Sequence, residues 1–288
     1  MGNKLPTLIE PESLDILLRE PGFDNKNRII EVHFGTNTRP DYETSHIKNA
    51  QFFDTYSCFE PTKLFPRNWP EPNKFSEYLS SLGISNKHNV IIYDRSEYGF
   101  SFSSRVWLHL RAFGNERVSI LNGGIKAWQN KNFQLTSEIK NFPRAEFKIK
   151  ENKTLVKNYD DIVKCLNVGS TQLIDVRPVE EYNKGHPVLG ESHLPSSKNF
   201  PFSHLFDENT VFKNAEINLN EPVIFYCNTS MSASIVTFAA FIIGHAKIPV
   251  YRGSWIEYSQ RKEQEKNFSN IKRSTQFDQK WPSSGSKF

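Results

Sequence analysis

Cysteine is scarce and scattered in this chain: three residues, at positions 58, 165 and 227, among 288. No two of them form a CxxC pair, so neither a disulfide framework nor a zinc site is read from them, and no metal or cofactor is expected. The scarcity points to a reducing compartment, and the expected address is the cytoplasm. Long apolar runs are missing as well. None approaches the ~18 residues a membrane span requires. The opening MGNKLPTLIEPESL holds no apolar signal core and no Arg-rich amphipathic stretch. Charge of one sign is also in short supply: the net charge is +4, without a basic cluster. Neither nucleic acid nor membrane is therefore an expected partner.

What the chain does contain is a copy of itself. NVIIYD (89–94) resembles PVIFYC (222–227), which sets Asp94 opposite Cys227, 133 residues apart. VSILNGGIKAW (118–128) matches IPVYRGSWIEY (248–258), and RIIEVHF (28–34) matches QLIDVRP (172–178). A repeat of this length means two similar domains and excludes a solenoid, whose units are far shorter. VIIY and VIFY are short continuous apolar runs, as expected of strands buried on both faces. Strands alternate with helical patterns in each half, which predicts an α/β fold of two parallel sheets, each covered by helices.

The expected boundaries are an N-terminal domain over 5–137, a linker over 138–157, a C-terminal domain over 158–261 and a polar tail over 262–288. The linker is charged, holds Pro143 and lacks a strong period; the tail is rich in Lys, Glu, Gln and Ser.

Cys227 ends an apolar strand pattern and is followed by NTSMS and then an apolar helical pattern from Ala233 to Ile243. Ligands in open parallel sheets gather at such strand ends. A core position would carry an apolar residue in both halves, yet here one half has a carboxylate and the other a thiol. Converging loop amides and a helix N-terminus favour negative charge on a sulfur held there. The pattern alone leaves two readings open, a nucleophilic thiolate and a small buried structural Cys. A phosphatase loop is set aside, because Ala233 stands where its Arg clamp belongs, six residues after the Cys.

Over roughly 8–258 the chain resembles the two-domain sulfurtransferases, rhodanese and 3-mercaptopyruvate sulfurtransferase. In the first half the resemblance rests on HIKNAQFFD (46–54), LGIS (82–85), Arg105-Val106-Trp107, Phe113-Gly114 and LNGG (121–124). In the second it rests on IDVR (174–177), CNTSMSA (227–233) and YRGSWIEY (251–258). The resemblance implies two tandem rhodanese-like domains, the first an inactive copy with Asp94 at the Cys position.

It also implies a ping-pong reaction. Cys227 takes a sulfane sulfur from a small donor, 3-mercaptopyruvate or thiosulfate, as a persulfide. A thiol acceptor, a low-molecular-weight thiol or thioredoxin, then removes it. On the same basis Asn228, Ser230, Met231, Ser232 and Ala233 are the expected substrate-binding loop. Thr229 would relay a proton to the leaving group. His46 would be a catalytic partner from across the domain interface, with a structural hydrogen bond at a turn as the competing role. Basic residues are absent from this loop, which is closer to the 3-mercaptopyruvate type. The chain departs from the family at Glu181-Tyr182, where an Arg–Phe pair is usual, and in a shortened following segment (183–193). A carboxylate there would repel an anionic donor. The alternative reading is a catalytically weakened rhodanese-like module that binds a partner or carries a persulfide.

Overall fold

A computed structural model describes residues 4–35, 37–206 and 216–278. In the first half the elements run β1 (Leu8–Ile9), α1 (Pro11–Leu18), α2 (Phe23–Lys26), β2 (Asn27–His33), α3 (Arg39–Thr44), β3 (Ala50–Asp54), α4 (Pro72–Ser81), β4 (Asn89–Asp94), α5 (Ser103–Ala112), β5 (Val118–Leu121) and α6 (Gly124–Asn130). The second half follows with β6 (Val156–Lys157), α7 (Tyr159–Val168), β7 (Gln172–Asp175), α8 (Val179–Asn183), β8 (Lys198–Asn199), β9 (Val223–Tyr226), α9 (Met231–Ile242), β10 (Val250–Tyr251) and α10 (Ser254–Asp278).

The strands build two parallel sheets, in the orders β1-β5-β4-β2-β3 and β6-β10-β9-β7-β8. Counted within each half, the two orders are the same. β4 and β9 lie mid-sheet and are buried along their whole length, as their unbroken apolar runs require. Helix boundaries follow local chemistry. α1 and α4 open with Pro at the first turn, where a missing N–H costs nothing, and α7 opens on a capping box between Asn158 and Asp161. Gly244, at φ 104°, follows the end of α9 in the left-handed conformation that side-chain-bearing residues avoid.

The halves meet along α5 and α9. The Trp107 ring packs edge-on against Phe238 and Phe241, with centroids 5.0 and 4.9 Å away, and one apolar core runs through both sheets. α9 is apolar nearly all round because it faces its own sheet on one side and α5 on the other.

The stretch expected to be a linker crosses the first half in extended form. Ala145 donates to the carbonyl of Ser80, Lys150 to that of Phe113, and the Phe147 side chain is buried. Its last two residues, Val156 and Lys157, form an edge strand of the second sheet. The polar stretch after Arg261 continues α10 to Asp278, and 279–288 lie outside the described residues. Among the described residues no helix is long and apolar enough to cross a membrane.

Candidate active site

β9 delivers Cys227 to the carboxyl edge of the second sheet, between the ends of β7 and β10. The thiol is free and 3% exposed. Its backbone is held on both sides by the turn into α10. The Cys227 N–H donates to Ser254 Oγ at 3.2 Å, and its carbonyl accepts the Trp255 N–H at 2.9 Å. The other two cysteines are elsewhere. Cys58 is buried in the first half, where burial and the nearby Asp54 push its thiol well up, and Cys165 is half-buried on α7.

After Cys227 the chain turns through Asn228 and Thr229, both half-buried, and Ser230, which is buried at φ 62°. α9 then begins. The Ser234 N–H donates to the Ser230 carbonyl at 3.1 Å, and the Ser234 hydroxyl adds a second bond at 2.7 Å. The amides of Met231, Ser232 and Ala233 lie ahead of that first turn and have no acceptor within the helix. The loop therefore gathers N–H groups that have no acceptor within the helix beside the buried Cys227, at the positive end of a helix dipole. Met231 and Ala233 are buried, Ser232 is half-buried, and no described protein group bonds to the Thr229 hydroxyl.

Beneath the loop lies a residue of the first half. Arg105, on α5, is 1% exposed. Its Nη1 donates to the Thr229 carbonyl at 3.0 Å and to Ser230 Oγ at 2.7 Å. Its Nη2 donates to the carbonyls of Arg67 at 2.6 Å and Asn68 at 3.1 Å. Burial lowers it to about 10, against attraction from Cys227 and with repulsion from Arg67, so it remains a cation at neutral pH. Reading the sequence for chemistry passes over this residue. The available signal is an Arg set among Val, Trp and Leu in a helix with no polar face to carry it, in SSRVWLHLRA.

A carboxylate touches the loop next to Cys227. The Asn228 side-chain amide donates to the exposed Glu181 Oε2, while its Oδ1 sits 3.4 Å from Arg177 Nη1. Arg177 is committed elsewhere, with its guanidinium paired to the Asp175 carboxylate and bonded to the Ser192 carbonyl at 2.8 Å. Arg95 is likewise tied to Glu31. Arg252 is exposed and lies over the Phe65 ring, 5.8 Å from its centroid.

His46 does not join the loop. It is fully buried in the first half, stacked on Tyr42, with Nδ1 2.8 Å from the Tyr42 carbonyl and Nε2 3.1 Å from that of Glu138. Both ring nitrogens are thus occupied by backbone, and the contacts are those of a residue that ties down a turn.

The first half shows what this kind of loop holds. Asp94, at the end of β4, is fully buried. Its Oδ2 accepts the N–H groups of Phe102 at 2.8 Å and Ser103 at 2.7 Å, and its Oδ1 accepts that of Ser96 at 2.9 Å. The loop stays tight because Gly124, at φ 58°, leaves no Cβ to meet the Asp94 carbonyl, which would stand 2.5 Å away. Among the described residues no group of three or more His, Cys, Asp or Glu is arranged to hold a metal ion.

Comparison with known proteins agrees with this geometry. The Rhodanese-like domain family matches residues 15–131 and 158–261. The chain is 31% identical over 256 residues to the 3-mercaptopyruvate sulfurtransferase of Mus musculus, covering 84% of this chain and 86% of that one. It is 31% identical over 238 residues to the thiosulfate sulfurtransferase of Rattus norvegicus, covering 77% and 80%. The crystal structure of SseA from Escherichia coli, titled as a study of 3-mercaptopyruvate sulfotransferases, superposes with a TM-score of 0.76 at 25% identity, over 87% of this chain and 99% of that one.

Proposed function

The chain belongs to the rhodanese-like sulfurtransferases, and on that footing we propose that it moves a sulfane sulfur from a small donor to a thiophilic acceptor through a persulfide on Cys227. The observation that carries this is the matched pair of loops. In the first half the loop between mid-sheet strand and helix binds the carboxylate of Asp94 through backbone amides, and in the second the same place presents a thiol. A loop built to stabilise an anion favours the thiolate, which is the form that attacks.

With thiosulfate, the Cys227 thiolate attacks the outer sulfur, the S–S bond breaks and sulfite leaves with the electron pair. With 3-mercaptopyruvate, the thiolate attacks the thiol sulfur and the C–S bond breaks. The leaving enolate then takes a proton to become pyruvate. Thr229 is the candidate to relay that proton, since its hydroxyl has no other described partner. Either donor leaves Cys227 as a persulfide anion beside the amides of Asn228 to Ala233. A thiol acceptor, such as a low-molecular-weight thiol or a thioredoxin, attacks the terminal sulfur and carries it off as its own persulfide, which restores the Cys227 thiolate. Splitting one transfer into two displacements is what the covalent intermediate contributes.

The contact between Glu181 and Asn228 favours a second reading. An anionic donor that reaches the sulfur past Asn228 meets a carboxylate, and its like charge costs affinity. On that reading the module accepts its persulfide from another protein or binds a partner. Incubation with each small donor, followed by mass measurement of the intact protein, separates the two. A gain of one sulfur that needs Cys227 supports the enzyme, and no gain with either donor supports the partner-fed module.

A further inference from the structure

A buried cation ordinarily sits against an anion, because an unpaired charge out of water costs far more than neutral hydrogen bonds return. Arg105 departs from that pattern. Its guanidinium is buried between α5 and the Cys227 loop; its four hydrogen-bond partners are neutral oxygens, Thr229 O, Ser230 Oγ, Arg67 O and Asn68 O, and the Trp69 ring lies 5.9 Å away. No carboxylate pairs with it among the described residues. Its charged surroundings are Arg67, which repels it, and Cys227, which attracts it when ionised. His109, one turn along α5, is held neutral, pushed well down by its own burial and by Arg105.

We propose that the anion on the Cys227 sulfur, first thiolate and then persulfide, is the counter-ion of Arg105, which makes this first-half residue a positioning element of the second-half site. The proposal rests on the reading of Cys227 as the sulfur carrier. The guanidinium does two things at once. Its charge favours the ionised sulfur of a residue that is itself buried. Its fork also fixes the loop: by taking the Thr229 carbonyl and Ser230 Oγ on one nitrogen, it holds the Ser230 turn at φ 62° and so the start of α9. The half of the molecule without Cys227 then has a physical reason to stay attached. Without α5 the loop would lose both its buried charge and its anchor.

Two measurements on the full chain distinguish this from a neutral structural strut. The first follows alkylation of the Cys227-containing peptide by iodoacetamide against pH, read by mass spectrometry. In Arg105→Gln the pH of half-maximal rate should rise by about one unit relative to the parent, and in Arg105→Lys by less than half of that. Coincident profiles in folded Arg105→Gln overturn the proposal. The second compares the melting of Cys227→Asp and Cys227→Ser at pH 7. The fixed carboxylate should raise the midpoint by about 2–4 °C over Ser while Arg105 is present, and the difference should vanish in Arg105→Gln. Should Arg105→Gln fail to fold, the comparison with Arg105 intact decides alone: Cys227→Asp melting at or below Cys227→Ser contradicts the proposal. Neither readout needs turnover, so a failure of sulfur transfer is recorded separately.

Discussion

Ser103 gives both its N–H, at 2.7 Å, and its hydroxyl, at 2.9 Å, to the buried carboxylate of Asp94. Ser103 is the first residue of α5, as Met231 is of α9, and Asp94 is the last residue of one mid-sheet strand while Cys227 directly follows the other. The two halves therefore share one layout, a strand end beside a helix start, which in the first half holds a carboxylate. One half fills it permanently with its own side chain. The other presents a sulfur that can take up a second sulfur and give it away.

Glu181 is bonded to Asn228, next to Cys227, and a donor that reaches the sulfur past Asn228 would meet its charge. Replacing it with Arg removes the repulsion and adds a bidentate site for a carboxylate or sulfonate. For Glu181→Arg the KM for thiosulfate should fall about tenfold, with kcat changed less than about threefold, as expected when binding improves without altering the displacement. An unchanged KM in steady-state kinetics would place Glu181 outside the donor's path.

The proton relay proposed for Thr229 would distinguish the two donors by their leaving groups. An enolate needs a proton and sulfite does not. Thr229→Val should lower kcat with 3-mercaptopyruvate by about 100-fold, within the usual range for general acid–base assistance, while thiosulfate turnover stays near that of the parent. Equal losses with both donors would mean that the residue shapes the loop instead.

Trp107 joins the halves. Truncation to Ala removes its ring from Phe238 and Phe241 and opens a cavity in the shared core. The expected cost is about 3–5 kcal/mol in urea unfolding. A loss below about 1 kcal/mol would show that the α5–α9 contact contributes little to holding the molecule together.

Acid should weaken the fold through its buried histidines. Burial and Arg105 push His109 well down, and burial and Arg28 hold His88 at about 4, both below the 6.5 of an exposed imidazole. In that window the unfolded chain binds more protons than the folded one, so stability is full above about pH 6.5 and is lost as pH falls toward 4. Melting midpoints between pH 7 and 4.5 should decline, and His109→Gln should flatten the decline. A slope unchanged in that variant would assign the acid sensitivity to other groups.

The repeat made the architecture readable. VIIY and VIFY place the mid-sheet strands, and Gly244 marks the end of α9. Cys227 is legible because its counterpart is a carboxylate, a contrast that a core position would not tolerate. Arg105 and Ser254 are harder to read. Each acts through a partner more than 20 residues away, Arg105 on Ser230 and Ser254 on Cys227, and neither stands in a pattern of its own. His46 shows the opposite problem. It sits in a stretch typical of the family, yet in the fold both of its ring nitrogens face backbone carbonyls. The linker over 138–157 lacks a strong period. Its order comes from single hydrogen bonds to the first half, which leave no repeating trace in the sequence.

Whether Cys227 takes its sulfur from a small donor is decided by intact-protein mass spectrometry after brief exposure to 3-mercaptopyruvate or thiosulfate. The expected result is a mass gain of one sulfur, absent in Cys227→Ser, retained in variants of Cys58 and Cys165, and discharged by a thiol. A protein whose Cys227 alkylates readily yet gains no sulfur from either donor would contradict it.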